Sequence, residues 1–295
     1  MKRTLILIIT ALLCIALFGC RNTQPDAQIA ATTLPVYEFT VRLCQGTGVE
    51  VTRLVTESVS CLHDYTLKVN QMRAIEAAEI VVISGADLEV FLDDALDTAH
   101  KVIDSSEGIE LLCYEESHEH EHEHDHEHSH EHDPHIWLSP ANAKAMAKNI
   151  CQGLTSAYPE HEDTFLQNLF ELNLEFDKLA EYASVQLKEL SCREMITFHD
   201  GFAYMADAFG LSIVHAIEEE SGSEASASEL IELTQIVTEH QLTAIFIERN
   251  GSSAAADVIS AETDTNMYQL DMAMAGNSYF GAMYHNINTL KEALE

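Results

Sequence analysis

Hydrophobic positions along the chain alternate between two periods. Short β-branched runs read as strands at Gln28–Thr33, Val49–Val55 and Ile80–Ser84, and again at Met195–Phe198, Ser212–Ile217, Thr243–Glu248 and Met267–Leu270. Between them, apolar residues spaced by three and four predict helices over Val36–Gln45, Leu67–Ala78 and Val90–Ala99. The same spacing recurs over Gly201–Phe209, Ser226–His240, Ser252–Glu262 and Tyr279–Leu294. Ser139 followed by Pro140 is a helix start, a side-chain cap and then proline in the first turn, and that helix should run to about Ala157. From Pro159 to Leu190 the residues Phe165, Leu169, Leu172, Phe176, Leu179, Ala183, Leu187 and Leu190 form one face of a single helix. About 30 residues of helix reach about 45 Å, more than a crossover needs. Strands alternating with helices imply parallel sheets. The expected fold is therefore α/β: two lobes, 28–158 and 191–295, each a mostly parallel sheet flanked by helices, joined by the helix of residues 159–190.

The amino terminus adds a location. Lys2 and Arg3 precede an apolar run from Leu5 to Phe18, and Leu17-Phe18-Gly19-Cys20 follows, which is the layout of an export signal. The run is shorter than the roughly 20 residues a membrane span requires. Residues 1–19 read as a signal peptide and 20–27 as a tether, with an uncleaved anchor as the alternative. Either places the protein outside the cytoplasm at a membrane surface.

Charge narrows the partners. Fifteen basic residues face 49 acidic ones, a formal charge of −34. Losing Lys2 and Arg3 with a signal would make the balance more negative still. Such a chain lacks the basic surface that nucleic acid demands, and attracts cations. The seven cysteines include Cys14 and Cys20 at the amino terminus. The other five (Cys44, Cys61, Cys113, Cys151, Cys192) have no zinc-ribbon spacing and define no disulfide pairing.

The histidines change the picture most. His118, His120, His122, His124, His126, His128, His130 and His132 occupy every second position, interleaved with carboxylates, inside a polar stretch over 117–133. Neutral imidazole is the commonest ligand for zinc and its neighbours. A solvated acidic spacer is the alternative, but it has no use for imidazole at alternate places. The segment is expected to be disordered without metal and to hold several ions loosely, as an accessory.

A tighter site is expected where strands end. His63 (SCLHDY) follows the second strand, His135 (DPHIWLSP) precedes a helix, and His199 (TFHDGF) and Asp271 (YQLDMAM) each close a strand. Ligands of open parallel sheets bind beyond the carboxyl ends of strands. Two of these residues come from each lobe, which puts the site in the cleft. Three imidazoles and one carboxylate suit tetrahedral Zn²⁺, whereas Mn²⁺ prefers more oxygen donors. Taken singly, a histidine near a strand end is more often a hydrogen-bonded structural residue. His100, His161, His215, His240 and His285 lack comparable context and read as structural.

At these motifs the chain resembles the solute-binding lipoproteins of zinc and manganese ABC importers, the cluster A-I family. DPHIWLSP resembles the second-ligand motif of that family and follows a His-rich insertion, as in its zinc members. FHDGFAYMADAFGL resembles the third, GSEASASELIEL a following segment, and IFIERN…YQLD the stretch before the carboxylate. His63 matches the first ligand through its Asp-Tyr neighbours and the following KVNQMRAIEAAEIVVISGADLE. The similarity spans about residues 28–295, and Leu17–Cys20 resembles a lipobox in which Cys20 carries the lipid. The sequence departs from the family at Cys61-Leu62, where a proline is usual, at Asp271-Met272-Ala273-Met274, where Asp-Pro-Leu-Gly is usual, and at Arg249, which replaces a proline. The small residue usual before the lipobox glycine is Phe18. The resemblance implies a monomer, lipid-anchored at the membrane, that captures Zn²⁺ and hands it to an ABC permease, with no enzymatic activity. The readings from other classes are an extracellular zinc buffer or adhesin, and a secreted zinc hydrolase.

Overall fold

A computed structural model describes residues 27–57, 62, 65–113, 132–217 and 226–295. Residues 1–19, read as an export signal, Cys20, His63 and the histidine tract up to His130 all lie outside these residues.

The first sheet contains β1 (Ile29–Ala31), β2 (Val51–Arg53), β3 (Ile80–Ile83) and β4 (Val102–Asp104), in the order β2-β1-β3-β4. All neighbours are parallel. The second repeats the plan with β5 (Glu194–Thr197), β6 (Ser212–Ala216), β7 (Ala244–Glu248) and β8 (Asn266–Leu270), ordered β6-β5-β7-β8 and again parallel. Helices α1 (Leu34–Leu43), α2 (Val69–Ala77), α3 (Asp93–Leu96) and α4 (Pro140–Ala157) belong to the first half. The long helix α5 (Glu162–Gln186) follows, and then α6 (Ala203–Phe209), α7 (Ala227–Glu239), α8 (Ala254–Thr263) and α9 (Tyr279–Leu294). Among the described residues no helix is long and apolar enough to cross a membrane.

Two elements differ from expectation. A helix over 90–99 gives way to a 3-10 turn at Val90–Leu92 and a single turn of α3. Its apolar face is too thin for more, since Val90 is exposed and only Leu92 and Ala95 are buried. Strand β4 carried no clear strand signal because only Ile103 of its three residues is buried, as befits an edge.

Helix α5 is shorter than its hydrophobic face. Pro159–His161 forms a 3-10 turn and the helix ends at Gln186, so it is roughly 37 Å long. Phe165, Leu172, Phe176, Leu179 and Ala183 are its buried residues, in one continuous core with both halves of the chain. Phe176 lies edge-on between Phe39 of α1 and Tyr279 of α9, at centroid distances of 5.2 and 6.1 Å, while Phe39 and Tyr279 meet at 5.0 Å. Polar bonds add to this seam. The Tyr279 hydroxyl donates to the Trp137 carbonyl at 2.8 Å, and Trp137 Nε1 donates to the Met272 carbonyl at 2.7 Å. Buried aromatic contacts and fully paired polar groups resist hinge opening, so the two sheets are held as one stiff body.

Candidate metal centre

His135 sits between Pro134 and the 3-10 turn Ile136–Leu138, whose apolar side chains are fully buried. That turn draws His135 inside, where it is 1% exposed. Asp133 fixes the ring. Its Oδ1 accepts from the His135 backbone N–H at 2.8 Å and lies 2.7 Å from His135 Nδ1. With Nδ1 donating to a carboxylate, the lone pair of Nε2 is free to bind a cation. Asp133 is itself buried, and its Oδ2 finds no hydrogen-bond partner among the described residues.

His199 arrives from the other half, two residues past the end of β5. It stands nearly perpendicular to His135, with ring centroids 5.2 Å apart and planes at 84°. Their Nε2 atoms are 3.5 Å apart. Two imidazole nitrogens on one tetrahedral zinc, each at about 2.0–2.1 Å, stand about 3.3–3.4 Å apart. The pair is thus set at nearly the spacing one ion requires.

Gly201 makes that approach possible. A Cβ there would lie 2.7 Å from His199 Cδ2, 2.9 Å from His135 Cε1 and 2.7 Å from Met272 Cε. Only a residue without a side chain fits under both rings.

Asp271 follows β8 directly and is buried. Asn286 of α9 clamps its backbone, accepting from the Asp271 N–H at 2.8 Å and donating to its carbonyl at 2.7 Å. The carboxylate is already engaged: Oδ1 accepts from Ala273 N at 2.8 Å, and Arg249 Nη1 donates to Oδ2 at 3.0 Å. Glu248 is buried beside it, and burial, followed by the Asp271 charge, pushes its carboxyl up to about 8. Both acids stand at adjacent strand ends, because β7 and β8 pair through Glu248 and Leu270.

Of the four expected ligands, the structure brings His135 and His199 together and places Asp271 at the end of β8, two strands from β5 and one residue before Met272, whose Cε borders Gly201. His63 and Asp64 are outside the described residues. Among the described residues no three His, Cys, Asp or Glu side chains form a group that could hold an ion. Gly201, Asn286 and the Trp137–Met272 bond went unnoticed in the sequence. Gly201 had a signal, standing two residues after a strand-ending histidine; Asn286 had none, being one polar position inside an amphipathic helix.

Of the described cysteines, Cys44, Cys113, Cys151 and Cys192 are all free thiols. His240 pairs with Glu194 at 3.0 Å and His161 packs on Phe165, in keeping with structural roles.

Two parallel sheets joined by one long helix, with a histidine from each half meeting beyond the end of β5, define a helix-linked two-lobed binding protein. The family model of the periplasmic zinc-uptake complex component A matches residues 29–293, and the chain belongs to that family. It is 30% identical over 290 residues to the high-affinity zinc uptake system protein ZnuA of Bacillus subtilis (strain 168), covering 94% of this chain and 90% of that one. The zinc-binding lipoprotein AdcA of Streptococcus pneumoniae (strain ATCC BAA-255 / R6) is 28% identical over 305 residues; 98% of this chain matches 60% of AdcA. A crystal structure of ZnuA superposes with a TM-score of 0.78 at 28% identity, over 92% of this chain and all of that one.

Proposed function

We propose that the protein captures Zn²⁺ outside the cytoplasm and delivers it to an ABC permease, binding the ion through His63, His135, His199 and Asp271. The observation that carries this reading is the 3.5 Å separation of the His135 and His199 Nε2 atoms. Relatives named as zinc-uptake and zinc-binding proteins support zinc as the cargo. In this reading residues 1–19 are an export signal, Cys20 carries the lipid and 20–27 is the tether. Residues 28–158 and 191–295 are the lobes, 159–190 the link, and the protein works as a monomer. The tract from His118 to His132 is an accessory that holds further ions loosely near the cleft. The stiff seam at Phe39, Phe176 and Tyr279 confines metal-linked movement to loops, in place of a wide hinge.

The test is the zinc content of residues 21–295, intact and with 118–132 deleted, together with zinc uptake by cells lacking the protein. One tight ion retained after deletion, and lost uptake restored by the intact chain, support the reading. Loss of the tight ion on deletion, or uptake unaffected by absence of the protein, contradicts it.

A further inference from the structure

Cys113 and His132 flank the histidine-rich segment in the sequence and face each other across an isolated antiparallel bridge. Cys113 Sγ lies 3.4 Å from His132 Nδ1. We propose that Cys113 and His132 form a second metal site, a thiolate–imidazole pair at the neck of the histidine tract, separate from the His135–His199 centre.

Geometry is the first support. A tetrahedral zinc with sulfur at about 2.3 Å and nitrogen at about 2.0–2.1 Å holds them about 3.6 Å apart, close to the separation present. Backbone pairing across the bridge sets this distance, so the pair is preorganised and needs no folding around the ion.

Access is the second. Cys44 and Cys151 are buried, and burial pushes the Cys44 thiol up to about 12, far from metal-binding form. Cys113 is exposed, with an imidazole alongside. An arriving ion takes the sulfur lone pair, the thiol proton passes to solvent, and water fills the remaining positions. Thiolate with imidazole selects Zn²⁺ and softer ions over Mg²⁺, Ca²⁺ or Mn²⁺.

The neck is also joined to the central site. Asp133 N donates to the Leu112 carbonyl at 2.9 Å, Leu112 N donates to the Tyr204 hydroxyl at 2.8 Å, and that hydroxyl donates to the Asp133 carbonyl at 3.1 Å. Asp133 is the residue that orients His135. An ion clasped at the neck therefore ties together the two bridged segments, one of which continues directly into Asp133.

The probe is Cd²⁺, titrated into reduced, metal-free residues 21–295 and read by the thiolate-to-cadmium charge-transfer absorption. The expected result is a Cys113-dependent band that disappears in Cys113→Ser and persists in His135→Ala/His199→Ala. His132→Ala should weaken the ion responsible by about tenfold or more, as loss of one ligand exceeds loss of an outer-shell contact. An unchanged thermal transition of Cys113→Ser shows that the loss is not unfolding. A band identical in Cys113→Ser, no band at all, or affinity unchanged in His132→Ala overturns the site. None of these outcomes touches zinc binding at His135 and His199, so the proposed function stands or falls separately.

Discussion

Arg249 Nη1 lies 3.0 Å from Asp271 Oδ2, so the acid expected to complete the cation site is partnered by a fixed positive charge. Arginine stands here in place of the proline usual in the family. It competes for the same oxygen as an incoming ion and repels that ion. The Arg249 side chain is 57% exposed, so solvent screens the pair and the effect is modest. Arg249→Ala should tighten Zn²⁺ binding several-fold without altering stoichiometry, measured by competition with a chromophoric chelator. Weaker binding would mean that Arg249 positions the carboxylate for the metal.

Asp133 should matter through His135 alone. Asp133→Ala removes both bonds to that residue and leaves the ring free to rotate or change tautomer. Losses of this kind lower metal affinity by roughly 10–100-fold. Calorimetric titration with Zn²⁺ should show that decrease at the tight site, with the number of ions bound unchanged.

Gly201→Ala places a methyl group against both rings and Met272. Overpacking of this type destabilises by about 1–3 kcal/mol. Because the clash falls on His135 and His199 themselves, zinc affinity should drop with stability. Thermal melts with and without Zn²⁺ would show it: the zinc-induced rise in Tm should shrink. A full-sized rise would mean that the rings relax without consequence.

Glu248 gives the metal-free protein a pH dependence. Its folded carboxyl is raised to about 8 from an ordinary value of 4.5. The folded chain therefore keeps a proton that the unfolded chain releases, and stability falls as pH rises through that window. Below about 4.5 both states are protonated and the penalty vanishes. Glu248→Gln keeps the shape without the charge. Its stability relative to wild type, in chelator, should climb from pH 5 to pH 8 by a few kcal/mol at most, on the order of the linkage ceiling. A difference flat across that range would contradict a buried protonated Glu248.

Legibility followed burial and period. Strands such as β3 and β7 were plain because nearly every residue in them is buried, giving near-continuous apolar runs. The edge strand β4 and the short α3 were obscure because each buries only one or two residues, too few to leave a pattern. Phe165 to Ala183 announced the long helix, but its true ends depend on the 3-10 turn at Pro159 and on backbone bonds after Gln186, which periodicity does not register. At the centre, His135 and His199 could be named from local motifs, yet their meeting is a property of the fold, which brings the turn before α4 to the end of β5. The Arg249–Asp271 pair and the Asn286 clamp were invisible for the same reason: each joins residues on different elements.

Anomalous diffraction at the zinc edge, from crystals of residues 21–295 grown with one equivalent of Zn²⁺, tests the central claim most directly. The account predicts one dominant peak between the two imidazoles, about 2.0–2.1 Å from Nε2 of both His135 and His199. A dominant peak elsewhere, with those two nitrogens unligated, would contradict it.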